Sequence, residues 1–366
     1  MKLVVNRESF LRALRVANAA VPSRTTRDVL KNVLLKSTPN AITLLGSDLD
    51  VGLRVEVSDV IHADSGVCLL PSRVIQILNE LQCETVRFEV ASGAIWIRSD
   101  ASEFRLSTED PDGFPEIKTF PEVAFYTLKA NDLRRLIKRT IFATDTESGR
   151  YALGGVQVEF TSDGIVNFVA TDTRRLAIDV SGFETTGSPE VLGVPPVIPK
   201  RAIKLLSSIV EDGDVQVALT KTGLFVKSGL VTLSSQFVEG RFPDWRRVMP
   251  GAARHTMEFV AGPFLDAMRQ SMVTRQEESR GVEFSLSRGN LRLSSEGADV
   301  WASKVEIPVA YDGEPVKISF DPAYFADFLK VLESSSVVKC NLISCEDPGE
   351  LESAGYRYVI MPLERR

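Results

Sequence analysis

Three short polar breaks, each closing an apolar strand-like stretch, recur along this chain at a fixed interval. They are Ser47-Asp48-Leu49, Thr171-Asp172-Thr173 and Ser295-Glu296-Gly297, and their first residues lie 124 positions apart both times. A period of that length, met three times in 366 residues, limits the chain to three copies of one domain-sized unit. It also agrees with the size at which single cores stop growing and chains divide.

The segments around each break keep one order. A short strand runs into a helix at 3–5 and 7–17, at 125–128 and 132–141, and at 256–260 and 263–273. Paired strands at 42–46, 165–170 and 291–294 then lead into the break. Next, a strand passes through a proline into a second helix, at Pro71, Pro199 and Pro322, where the missing N–H suits a helix start. Alternating strands close each unit: 85–98 with 104–108, 215–227 with 231–237, and 337–343 with 356–361. The expected domains are 1–122, 123–251 and 252–366, with the linker-like segments Asp110-Pro111-Asp112-Gly113-Phe114-Pro115-Glu116 and Asp244-Trp245-Arg246-Arg247-Val248-Met249-Pro250-Gly251 at their junctions. Within each, strand, helix and strands occur twice, so each domain reads as a duplicated β-α-β-β-β unit of an α+β fold. Antiparallel sheets outside with helices on one face is the natural packing of that pattern.

Charge follows the same organisation. The net charge of −6 argues against indiscriminate nucleic-acid binding, yet six candidate helices at 7–17, 72–80, 131–140, 200–208, 262–276 and 321–333 together carry +7, leaving −13 elsewhere. In the third helix Leu133, Leu136, Ile137 and Ile141 gather on one side, with Asn131 or Asp132 placed to cap its start. Arg134, Arg135, Lys138 and Arg139 fall on the other side, a row suited to a polyanion. The 321–333 helix is acidic, so Arg269 and Arg275 must supply charge in the last repeat. Three similar domains joined head to tail curve in one sense and either spiral or close. With the helices on the concave side, basic faces would meet phosphates without reading bases.

Little in the chain points to catalysis. Neither histidine, His62 or His255, stands near a Ser or Cys in a nucleophilic arrangement, and no two glycines are separated by a single residue. Asp48, Asp50, Asp172 and Asp179 include two that recur in the repeat, which favours turn capping over Mg²⁺. Cys68, Cys83, Cys340 and Cys345 lack metal spacing and read as buried or half-buried free thiols of a cytoplasmic protein. No cofactor, metal, signal segment or membrane span is expected.

Ala170-Thr171-Asp172-Thr173-Arg174-Arg175-Leu176-Ala177 and Glu239-Gly240-Arg241-Phe242-Pro243-Asp244-Trp245-Arg246-Arg247-Val248-Met249-Pro250 resemble two signature segments of the bacterial β sliding clamp family, the processivity subunits of DNA polymerase III. Tyr358-Val359-Ile360-Met361-Pro362-Leu363 is similar to that family's closing strand, and Phe104-Arg105-Leu106-Ser107-Thr108 with Phe114-Pro115 matches another segment. The resemblance runs the length of the chain. It implies the DNA clamp fold, a head-to-tail homodimer closing a ring of six domains around duplex DNA, and no catalysis by this subunit. It also implies short linear peptides of the polymerase catalytic subunit, the clamp loader and repair proteins as partners.

Carried over position by position, the resemblance implies a peptide pocket involving Leu153, Thr171, Thr173, Arg174, Arg175, Leu176, Pro243, Val248, Tyr324, Val359, Met361 and Leu363. It implies DNA contacts at Arg24, Arg73, Arg150, Tyr151, Lys200, Arg201 and Arg247, beside the basic row of the third helix. At the ring's joint it sets Phe104 and Leu106 of one chain against Met272 and Val273 of the other. Departures from the family pattern are Thr173-Arg174, where a Gly and then His or Tyr are usual, Ala152 in place of a second aromatic, and the tail Glu364-Arg365-Arg366. The competing reading is a repeat-built scaffold that binds only proteins, its basic helices merely solvated.

Overall fold

The structure, a computed structural model, describes residues 1–39, 41–145, 151–273, 281–296 and 302–363. All six expected helices form: α1 (Arg7–Asn18), α2 (Arg73–Glu80), α3 (Ala130–Thr140), α4 (Lys200–Ile209), α5 (Ala261–Ser271) and α6 (Pro322–Leu329). Asn6 caps α1 by accepting from the N–H groups of Glu8 and Ser9. Asp321 caps α6, with Pro322 in the first turn. Pro71 and Pro199 instead end the preceding strands, so only the third copy uses proline as a helical residue. α3 begins at Ala130, which puts Asn131 and Asp132 inside its first turn.

Every strand pairing is antiparallel among the described residues. The duplicated unit is present in each repeat, and its two halves exchange their first strands. Lys2–Asn6 keeps only the short Val60–Ala63 of its own half beside it and pairs on its other edge with Thr85–Ala91, while Gly66–Pro71 pairs back with Asn32–Thr38. The same exchange sets Phe125–Lys129 on Asp214–Thr220 and Val197–Pro199 on Gly155–Phe160 in the second repeat. In the third it sets His255–Val260 on Val337–Leu342 and Val316–Phe320 on Val282–Ser287. One expected detail is corrected there: Gly349–Ser353 forms a further strand between Val337–Leu342 and Tyr356–Ile360. Its alternating Glu350 and Glu352 disguise it, because Arg357 pairs with Glu350 and removes the penalty of that nearly buried carboxylate.

Compact packing does not follow the repeat. One unit comprises Met1–Leu133, Phe183–Val194 and Arg201–Phe237, and the other Arg134–Gly182, Pro195–Lys200 and Val238–Arg366. The middle repeat is divided because each of its sheets continues a neighbour's. Val231–Gln236 pairs with Val51–Glu56 of the first repeat, giving a nine-stranded sheet. Arg175–Gly182 pairs with Tyr356–Ile360 of the third, giving an eight-stranded one. The five-stranded and four-stranded sheets end in Glu103–Ser107 and Ala302–Pro308, each hydrogen-bonded to one neighbour only among the described residues.

The apolar sides of the helices close these sheets into cores. The ring of Phe10 in α1 lies 5.0 Å from that of Phe88, tilted by 43°, and α5 packs on α6 around Phe264, Phe284, Phe320 and Phe325, all 2% exposed or less. Gly46 marks where the end of α1 meets its sheet: a Cβ there would stand 2.0 Å from the carbonyl oxygen of Ala17. No described helix is long and apolar enough to cross a membrane.

Candidate peptide pocket and nucleic-acid interface

The pocket begins as a turn. Asp172 Oδ1 accepts from the backbone N–H groups of Arg174 and Arg175, both at 3.0 Å, and Thr171 Oγ1 accepts from Thr173 N–H at 3.1 Å. This bends the chain so sharply that Thr173 takes a φ of 76°, a region that favours glycine. The first repeat builds the same turn. Asp48 Oδ1 accepts from the N–H groups of Asp50 and Val51, and Leu49 has a φ of 86°. The expected capping role of Asp48 and Asp172 is thus borne out by geometry.

From the turn the chain enters Arg175–Gly182, and Leu176 falls opposite Val359 on the neighbouring strand. Leu153, Leu176 and Val359 are each 3% exposed and belong to one buried apolar cluster together with Phe242. Val248 and Met361 stand 51% and 43% exposed, a cost in water that an apolar ligand would remove. Met361 N–H donates to Arg174 O, and Leu363 N–H donates to Ser319 O, each at 2.8 Å, fixing the path of the closing segment. Pro243, Thr173 and Arg174 are exposed at the edge, Thr171 is buried, and Leu363 and Tyr324 are half-buried.

Arg175 is engaged within the protein. Its Nε donates to Asp172 Oδ2 at 2.9 Å, Nη1 to Asp327 Oδ2 at 2.7 Å and Nη2 to Phe142 O at 3.0 Å, and the guanidinium lies 4.7 Å from the Tyr324 ring. With its donors taken inward, Arg175 braces the turn and leaves Arg174 as the accessible cation. Phe242, Trp245 and Met249 belong to this cluster although the sequence reading omitted them. Their signal was present in the Glu239–Pro250 segment, whose apolar residues lack strand or helix spacing and so gave no face. Trp245 Nε1 is buried and makes no hydrogen bond among the described residues.

The basic row of α3 divides in a similar way. Arg135 Nη1 donates to Asp179 Oδ2 at 2.5 Å and Nη2 to Val180 O, while Arg139 reaches Asp179 Oδ1 at 3.4 Å and lies over the Tyr356 ring. Asp179 is 1% exposed, and its burial pushes the carboxyl above the usual carboxylate range against the pull of both guanidinium groups. Arg135 and Arg139 are therefore the partners of a buried acid, correcting the expectation of four outward cations. Lys138 is exposed and Arg134 half-buried. Arg201 is also engaged: Nε pairs with Asp48 Oδ2 at 2.6 Å and Nη2 donates to Ala20 O.

Arg24 is exposed in the loop after α1, and Arg73 is exposed at the start of α2. Lys200 is half-buried, and Arg247 is 82% exposed beside Asp244 at 3.0 Å. Arg150, Arg275 and the 364–366 tail lie outside the described residues, as does the Tyr151 side chain. Arg269 keeps an i,i+3 contact with Asp266. Phe104 and Leu106 are half-buried on their edge strand, Met272 is half-buried, and Val273 is 81% exposed at the end of α5. Cys345 is exposed, unlike the expected buried thiols. Cys68 and Cys340 are buried, and burial pushes both thiols up to about 12.

Comparison with known proteins bears on the whole chain. The DNA polymerase III beta subunit N-terminal domain family matches residues 1–118, its central domain family residues 127–244, and its C-terminal domain family residues 246–364. The beta sliding clamp of Proteus mirabilis is 28% identical over 370 residues, covering 99% of this chain and 100% of that protein. That of Chlamydia muridarum is 28% identical over 367 residues, covering 99% of each. The crystal structure of the DNA polymerase III subunit beta from Pseudomonas aeruginosa superposes with a TM-score of 0.91 at 27% identity, covering 100% of both chains. A sliding clamp from the same organism bound to griselimycin gives 0.92 at 27% identity with the same coverage. The three consecutive matches, in the order and near the places set by the 124-residue repeat, establish that the chain belongs to the DNA polymerase III beta subunit family, the beta sliding clamps, with their three-domain clamp fold.

Proposed function

We propose that two copies of this chain close head to tail into a ring around duplex DNA and tether the replicative DNA polymerase to it. The observation that carries the reading is the pair of open sheet edges. In both shared sheets, the third strand after the helix of one repeat half pairs with the third strand after the helix of another: Val51–Glu56 with Val231–Gln236, and Arg175–Gly182 with Tyr356–Ile360. Glu103–Ser107 and Ala302–Pro308 hold those same two places in their repeats and lack that partner among the described residues. A second copy supplies it twice, and rotation closes the assembly. Phe104, Leu106, Met272 and Val273 are the apolar groups to be covered at the joint, which would otherwise leave an edge prone to indiscriminate pairing.

In this reading the exposed cations Arg24, Arg73, Lys138 and Arg247, with Arg134 and Lys200, meet phosphates without reading sequence. Arg135, Arg139 and Arg201 hold the scaffold that presents them. Short linear segments of the polymerase catalytic subunit, the clamp loader and other replication or repair proteins place apolar side chains on Leu176, Val359, Met361 and Val248, with Arg174 at the edge for an acidic group. The chain acts in the cytoplasm as a non-catalytic accessory subunit, and its repeat linkers lie near 122 and 252. The protein-only scaffold is not favoured for a member of this family.

Native mass at micromolar concentration tests the closure: twice 40.3 kDa is expected. Protein loaded onto nicked circular DNA should then stay bound and be lost when the circle is cut. A monomer, or retention indifferent to linearisation, overturns the ring.

A further inference from the structure

The arrangement that forms the Leu176–Val359 pocket occurs a second time, one repeat earlier. Position 52 precedes position 176 by the repeat length of 124, and Gly52 falls opposite Ser234 as Leu176 falls opposite Val359. A Phe-Pro pair occurs in both copies, Phe114-Pro115 and Phe242-Pro243, and Leu49 repeats the positive φ of Thr173. Here the structure opens a cleft of 350 Å³, within the range of small-ligand sites. Replacement of the branched pair by Gly52 and Ser234 makes this wall polar. It also admits Ile117 against the bare Cα, since a Cβ on Gly52 would stand 3.0 Å from Ile117 Cγ2.

The floor is Ile117 and Phe225, 8% and 6% exposed, and Leu49 stands 42% exposed at the edge. Asp50 and Glu116 are exposed at the rim, and neither has an ion-pair partner among the described residues. Lys118 is the single cation of the lining. An apolar floor under two unpaired carboxylates complements an aliphatic side chain next to a basic one.

We propose that this cleft is a second docking site, taking a short linear segment of a partner protein in which a basic residue precedes an aliphatic anchor. The anchor rests on Leu49, Ile117 and Phe225, and the cation lies between Asp50 and Glu116. The inference rests on reading the Leu176–Val359 pocket as a peptide site, so the test separates the two.

A fluorophore-labelled, end-capped tetrapeptide Ala-Arg-Leu-Leu is titrated with the full-length protein and followed by anisotropy. Saturable binding is expected, weakened about tenfold by Asp50→Lys with Glu116→Lys, since two rim attractions become repulsions. Replacing the peptide's arginine by glutamate should abolish it, and Met361→Ala with Leu363→Ala should leave it unchanged. No binding to the unaltered protein, or binding indifferent to the charge reversals, overturns the second site. Loss confined to the Met361/Leu363 variant overturns it too, because the peptide then occupies the first pocket. Both charge-reversed residues are exposed, so folding is not at stake, and thermal unfolding of the variant verifies this.

Discussion

Thr173→Gly should stabilise the protein. Thr173 holds a φ of 76°, where an ordinary L-residue pays about 1–2 kcal/mol and a β-branched one stands at the upper end. Its side chain is exposed, and the hydrogen bonds of the turn run through the Thr171 hydroxyl, the Asp172 carboxylate and backbone N–H groups, all kept in the variant. Against this, glycine widens the unfolded ensemble by about 0.4–1 kcal/mol. The balance is a gain of about 1 kcal/mol, or a rise in melting temperature of roughly 2–4 °C for a unit of this size. Urea unfolding followed by tryptophan fluorescence, at one fixed protein concentration so that association does not intrude, should show a higher midpoint at unchanged slope. Thr173→Ala, which keeps the strain and loses only the branch, should fall between the two. An unchanged or lowered midpoint in Thr173→Gly would refute the argument that the turn stores strain. Leu49, with a φ of 86°, stores the same strain, but its side chain is 42% exposed and lines the second cleft, so Leu49→Gly also gives up apolar burial and should gain less.

Separating the two kinds of cation on α3 gives a second expectation. Lys138→Gln should reduce the salt slope of DNA affinity by about one unit with stability unchanged, whereas Arg135→Gln should lower stability by about 1–3 kcal/mol because Asp179 loses a buried partner. Equal effects of the two on DNA retention would contradict the division drawn here. Gly46→Ala should destabilise by about 1–3 kcal/mol, read as a lowered denaturant midpoint, since the new methyl meets backbone of α1 rather than a yielding side chain. Cys345 should alkylate rapidly in the folded protein while Cys68 and Cys340 resist until unfolding, as counted by mass spectrometry. Their thiols titrate near 12 when folded and near 9 when unfolded, so the unfolded chain loses its protons first. Stability should therefore decline as pH rises from about 9 towards 12, and Cys340→Ala should lessen that decline.

Period and chemistry were legible in the sequence because they are local. Six helices were legible from their places in the repeat, although the cap expected for α3 and the prolines before α2 and α4 do not mark where those helices start, and a turn whose geometry depends on one carboxylate appeared as Asp48 and Asp172 at a fixed interval. The resemblance carried by Thr171–Leu176 and Glu239–Pro250 named the pocket's rim. What the sequence by itself could not assign was the destination of each charge. Arg134, Arg135, Lys138 and Arg139 are equivalent on a helical wheel, and only the arrival of Asp179 from a strand 40 residues onward decides that Arg135 and Arg139 turn inward. Arg175 was decided likewise, by Asp327, whereas Arg201 pairs with Asp48 and still keeps an exposed side chain. Strand exchange between repeat halves, and the sharing of sheets between repeats, were equally hidden, since alternation fixes which face of a strand is buried but not which strand lies beside it. Long-range pairing is set by the lowest free energy of the whole packed chain. That is why the repeats were visible in one dimension, while the two compact units and the division of their cations emerged only in three.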